Sequence, residues 1–173
     1  MKIIAIIVCM VFAWQPSLAD AKFLIHATKG RFVPKIIKNG LKNPKMNPKA
    51  RIGKQERYFG DNLKTAMKEK PRADAAILFR KSRTFNNRIL DTTRMTNNRL
   101  KSVSGLRDMR GTVKKGVLGP KIGQRIGRYA NEKNLIVKYK SARYRKGVNY
   151  AIPPNLYKRH PRIATPVKSI ELR

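Results

Sequence analysis

Two histidines, His26 and His160, are the only imidazoles in 173 residues, and 9 acidic residues stand against 41 lysines and arginines. His26 closes the short apolar run FLIH, with Thr28 two residues further on. His160 lies in YKRHPRI, a basic turn bounded by proline. An imidazole titrates near neutral pH and serves as general acid or base, while arginines beside it stabilise a phosphorane. Either histidine is therefore a candidate for metal-independent phosphodiester cleavage, although neither has a histidine partner nearby in the sequence. Two further stretches gather polar and aromatic groups. RIGKQERYFGDNLKTA (51–66) places Tyr58 and Phe59 ahead of a helix start. YKSARYRKGVNYAIPP (139–154) places Ser141 after one strand and Asn149-Tyr150 at the start of the next.

Several chemistries are excluded. The chain has no GxxxxGK[ST] phosphate loop, no GxGxxG after a strand, no HExxH and no GxSxG. One cysteine and two distant histidines make a poor zinc ligand set, so no metal is expected. Glu56, Asp61 and Glu69 lie in or near the first long loop, and most other acids read as caps or surface charges, which leaves little for paired-carboxylate catalysis.

The elements that must position these groups follow from periodicity. Residues 22–27 read as an apolar strand and 32–39 as a helix, with Pro34 early and Gly40 at its stop. Residues 41–57, rich in Pro, Asn and Lys, read as a solvated loop. Asp61 is expected to cap a helix running to about Lys70, where Pro71 ends it. AAILF (75–79) is a buried strand and RILD (88–91) a second candidate, while 97–119 reads as mostly loop with a weak helix. In 122–133, Ile122, Ile126, Tyr129 and Ala130 share one helix face, and Gly123 and Gly127, four apart, permit close backbone approach. Strands follow at 135–139, at 148–152 before Pro153-Pro154, and at 167–172. Strands outnumber helices and several connections are too short for parallel crossovers, so the expected class is α+β with a mixed or antiparallel sheet. Each candidate also has a structural reading: His26 as a satisfied core histidine, Tyr58-Phe59 as a hydrophobic staple or core contact, Ser141 as a turn residue.

Composition and the chain start bound the setting. Met1-Lys2, an apolar run over 3–14, Pro16 and the small-x-small triplet Ala19-Asp20-Ala21 form the pattern of a secretory signal peptide, too short to span a bilayer. Cleavage is expected after Ala21, with Ala19 second, leaving 22–173 as a single basic domain that is secreted or periplasmic and carries no transmembrane segment. Removing Lys2 and Asp20 leaves the net charge at +32, and Cys9 departs with the leader, so no disulfide staples the remainder. That charge exceeds what solubility requires and self-repels unless screened. It fits a polyanionic partner such as RNA or DNA, or an anionic envelope.

Taken in order, HxT at a strand end, IIxxGL in a helix, and Gly53-Lys54 followed by Tyr58-Phe59 and a helix resemble the ADP-ribosyltransferase superfamily, in its histidine-bearing branch of diphtheria-toxin-like proteins and poly(ADP-ribose) polymerases. SARYRKGVNYAIPP resembles the ending of the related RES family, and together the likeness spans residues 23–154. The resemblance implies an ADP-ribosyltransferase-like fold and NAD as substrate. It implies that His26 bonds the adenosine ribose with Thr28 supporting the loop, and that Tyr58 stacks on nicotinamide. Ser141 would contact the nicotinamide ribose or the pyrophosphate, and Asn149 would stand near the last catalytic side chain. The chain departs from the pattern in three ways: a second glycine before the tyrosine is missing, an extra residue separates Gly53 from Tyr58, and no glutamate occupies the later strand. The implied protein is a secreted toxin or effector that cleaves NAD, with ADP-ribose transfer to a macromolecule, nucleic acid among the candidates, and an acidic immunity protein as a fitting partner. The alternatives are a ribonuclease toxin using His26 or His160, and a non-enzymatic cationic protein whose binding falls steeply with salt.

Overall fold

The computed structural model describes residues 23–41, 50–53, 55–110, 112–114 and 116–172. The expected leader at 1–21 and most of the expected loop at 41–57 lie outside the described residues. Nine strands are present among those described: β1 (Phe23–Thr28), β2 (Arg57–Gly60), β3 (Ala75–Lys81), β4 (Ile89–Asp91), β5 (Val113–Lys114), β6 (Val117–Leu118), β7 (Ile136–Lys140), β8 (Val148–Ile152) and β9 (Ala164–Glu171). The α-helices are α1 (Val33–Asn39), α2 (Leu63–Glu69), α3 (Arg83–Asn86), α4 (Asn97–Ser104), α5 (Pro120–Lys133) and α6 (Pro154–Arg159).

Seven strands form one sheet in the order β4-β7-β8-β2-β1-β3-β9, and β5 pairs with β6 in a separate hairpin. Within the large sheet β4 and β7 run parallel and the other neighbours antiparallel. This is the α+β class with a mixed sheet expected from the element order. Each face of the sheet carries a core, because alternate side chains leave a strand on opposite sides. On one face Leu24, Phe59, Ile77, Phe79, Tyr150 and Ile152 pack with Phe85 and Leu156. On the other, Ile122, Ile126 and Ala130 of α5 and Leu100 and Val103 of α4 cover Val137, Tyr139 and Ala151.

Several expectations are corrected. The end of the supposed solvated loop is buried: Ala50, Ile52, Glu56 and Arg57 are all in the interior, while Tyr58-Phe59, ahead of a helix start as read, lie in strand β2 with Phe59 in the core. The polar composition of 41–57 hid this, because Arg57 is sheltered by stacking its guanidinium 3.5 Å above the Tyr157 ring. Asn62, not Asp61, caps α2, its Oδ1 accepting from Thr65 N at 2.8 Å. Residues 97–119 hold more structure than a weak helix, since Thr96 caps α4 and a hairpin follows. Pro153-Pro154 end β8 but also open α6, as proline suits a first helical turn. The last strand begins at Ala164, ahead of the expected 167.

The α5 glycines behave as their spacing predicts. A Cβ on Gly123 would lie 2.1 Å from the Arg51 carbonyl oxygen, and one on Gly127 2.5 Å from Gly53 N. The neighbouring element is the 51–53 segment, laid directly on the helix.

Candidate functional site

Helix α2 delivers a carboxylate, Glu69, to the polar residues at the ends of β7 and β8. Thr65 and Glu69, one turn apart, share a helix face. Gly147, buried in the β7–β8 loop, packs so closely on Thr65 that a Cβ there would lie 2.3 Å from Oγ1. One turn on, Glu69 Oε1 accepts from Ser141 Oγ at 2.6 Å and from Asn149 Nδ2 at 2.9 Å. Ser141 and Asn149, 8 positions apart in sequence and buried at 1% and 3% exposure, are thus united by a third residue, Glu69. The Ser141 hydroxyl also accepts from Arg143 N and Tyr144 N at 3.2 and 3.0 Å, holding the loop as a turn. By sequence Glu69 sits near a loop and has no evident role. The available signal was its position on an inward face of α2, which becomes informative only once the β7–β8 loop is known to lie over that helix.

A second polar group sits on the same sheet face. Tyr58 packs in the α5-side core, and its hydroxyl donates to the Ile52 carbonyl and approaches Glu56 Oε2 at 3.5 Å. Burial raises the Glu56 carboxyl above its ordinary range. The Tyr58 phenol is raised too, by burial first and then by the Glu56 charge, so it remains a protonated donor. Gly53 makes room for this: at φ +59 it occupies the left-handed region, and a Cβ there would fall 1.4 Å from Glu56 Oε1. Arg51 is anchored by Nη1 donating to the Leu118 carbonyl at 2.6 Å.

Beside these groups opens a cavity of about 470 Å³ lined by Arg51, Thr112, Lys114, Lys140, Ala142 and Arg145, among others. Lys140 and Ala142 flank Ser141, so the carboxylate cluster and the cationic cavity share one loop.

His26 and Thr28 stand elsewhere. The His26 ring meets Phe59 and Phe79 edge-on, at centroid distances of 5.8 and 6.4 Å, in the core on the opposite sheet face from the Tyr58 side chain. Nδ1 lies 3.0 Å from the Tyr58 carbonyl oxygen, which only accepts, so Nδ1 carries the proton. Burial, reinforced by the nearby Lys70 charge, lowers the ring's pKa from 6.5 to about 4. The ring is therefore neutral at physiological pH. Thr28 is buried at the end of β1, where its carbonyl accepts from Asp74 N at 3.2 Å. Among the sequence candidates, Ser141 and Asn149 are brought together, Tyr58 shares their face, and His26 and Thr28 belong to the neighbouring strand β1. Among the described residues no three His, Cys, Asp or Glu side chains gather as a metal site, and no helix is long and apolar enough to cross a membrane.

No protein-family model matches the chain, and no curated protein matches it. Among solved structures the chain is similar to one in the crystal structure of the M. tuberculosis MbcT–MbcA toxin–antitoxin complex, with a TM-score of 0.51 at 17% identity, covering 87% of this chain and 84% of that one. At this identity the likeness is one of fold.

Proposed function

We propose that the chain is a toxin-type enzyme that cleaves NAD at the bond between nicotinamide and ribose. Support comes from the fold shared with a chain of a toxin–antitoxin complex, from the ADP-ribosyltransferase-like motifs, and above all from Glu69 held by Ser141 and Asn149. Departure of nicotinamide breaks the C1′–N bond, the electron pair leaving with nicotinamide and positive charge developing at the ribose C1′. A fixed carboxylate stabilises that charge and accepts a hydrogen bond from a ribose hydroxyl. Glu69 fills this role, Ser141 and Asn149 position it, and Tyr58 offers an aromatic face to the nicotinamide ring. His26 and Thr28, whose side chains lie on the opposite sheet face from Tyr58, support strand β2 from the neighbouring strand and stay out of this site. Attack at C1′ by water gives hydrolysis; attack by a nucleophile of a macromolecule, which then sheds its proton, gives transfer. Export through the leader at 1–21, action on a polyanionic target such as RNA or DNA, and neutralisation by an acidic immunity protein complete the reading, the last because +32 favours a partner of opposite sign.

The test is nicotinamide release from NAD by the purified chain. Glu69→Gln keeps an oxygen that accepts from Ser141 and Asn149, so the fold should hold within about 1 kcal/mol while turnover drops roughly 10²–10³-fold. Absence of nicotinamide release by the wild-type chain, or full activity in Glu69→Gln, would overturn the proposal.

A further inference from the structure

Four cations converge on the cavity from separate segments: Arg51 before β2, Lys114 on β5, Lys140 on β7 and Arg145 in the β7–β8 loop. Among the described residues no carboxylate lines it, and the ion pairs there, Lys29–Asp74, Arg110–Asp108 and Lys138–Asp91, include none of the four. One of the cations is held in place and a second is located by its packing. Arg51 is fixed by its bond to the Leu118 carbonyl, and the Lys140 side chain lies across Gly116, where a Cβ would come within 2.9 Å of Nζ. Like charges gathered in one concavity repel one another unless an anion occupies it. Exposed Arg143 and Lys146 extend the positive charge along the loop that carries Arg145, whereas exposed Lys121 at the start of α5 lies near Asp108. A single diphosphate has no use for that extension, whereas a chain of phosphates runs along it.

We infer that this cavity and its rim bind the phosphodiester backbone of a single-stranded nucleic acid. A concave basic track admits one flexible strand, and its contacts are to phosphates, so binding is indifferent to base sequence and steep in salt. Strand binding of this kind does not depend on NAD cleavage. If both hold, the bound strand runs past the loop that carries Ser141.

Fluorescence anisotropy of a labelled single-stranded oligonucleotide tests it with two triple variants of equal charge change. Lys114→Ala/Lys140→Ala/Arg145→Ala removes cavity cations, while Arg72→Ala/Arg80→Ala/Lys168→Ala removes exposed cations around β3 and β9, toward the opposite edge of the sheet. The cavity variant should bind at least about tenfold more weakly and flatten the log K against log salt slope by about 2, close to 0.7 for each lost single-strand contact. The control variant should stay within about threefold of wild type. Melting temperatures verify that both remain folded. Equal losses in the two variants, or no oligonucleotide binding by wild type at low salt, would overturn the inference. Unchanged oligonucleotide binding with a raised KM for NAD in the cavity variant would also overturn it, assigning the cavity to a small diphosphate. Because the readout is binding, a chain that proves inert toward NAD can still bind the oligonucleotide, and the two proposals fail separately.

Discussion

At Glu69, hydrogen bonds from Ser141 and Asn149 converge on Oε1, and among the described residues none engages Oε2. A carboxylate held by one oxygen and open at the other is suited to meet a hydroxyl of a bound sugar. His26 shows the contrasting case, a polar group given over to the fold. Above pH 6.5 its ring is neutral in both folded and unfolded chains, so it adds no pH dependence there. Below that, the unfolded ring takes up a proton that the folded ring, with pKa about 4, refuses. Stability should therefore fall as pH drops from 6.5 to about 4, by up to roughly 3 kcal/mol from this group. Urea denaturation across that window should show wild type losing more stability than His26→Gln, whose amide still donates to the Tyr58 carbonyl but does not titrate. Parallel curves for the two proteins would contradict the burial of this ring.

At the scale of elements, the contact between α5 and the 51–53 segment sets the Tyr58 side of the site. It brings Arg51 to the cavity, Ile52 to the Tyr58 hydroxyl and Gly53 under Glu56. Alanine is the better helix former by about 1 kcal/mol, so Gly127→Ala in an isolated helix would be favourable. Here the new methyl meets Gly53 N at 2.5 Å and Gly53 Cα at 2.8 Å, both backbone atoms with nowhere to yield. Gly127→Ala should lower unfolding stability by about 1–3 kcal/mol and shift the Tyr58 environment. Arg128→Ala, next in sequence but exposed, should stay within about 0.5 kcal/mol. Denaturant midpoints of the two variants check this. The pairing of glycines four apart on α5 was legible in the sequence, whereas their partner segment, read as a solvated loop, was not.

The whole molecule carries +32, and 41 basic residues against 9 acidic ones leave few ion pairs to offset self-repulsion. Stability should rise as salt screens that charge, in the same range over which nucleic-acid affinity falls. Export, expected from the apolar run and small-x-small triplet at the chain start, is the other proposal that concerns the whole chain. Intact mass of the protein recovered from the extracytoplasmic fraction should correspond to a start at Lys22, or at Asp20 if cleavage follows Ala19. A mass that retains Met1 would exclude cleavage of the leader.

Local rules alone determined much of this protein. The α+β class, strands β1, β3, β7 and β8, helices α1, α2 and α5, and the excess of positive charge all follow from periodicity, caps and composition, which act between residues near in sequence. Ser141 and Asn149 stood out in the same way, as polar groups at the ends of apolar strands. Tertiary structure alone decided that Glu69 joins them across 72 and 80 positions, that Tyr58 and His26 leave their strands on opposite faces, and that a segment rich in lysine and proline ends in the core. The reason is physical. A carboxylate on a short helix has no local preference for a serine far along the chain, and the two meet only because Gly147 lets the β7–β8 loop settle on Thr65 one turn away.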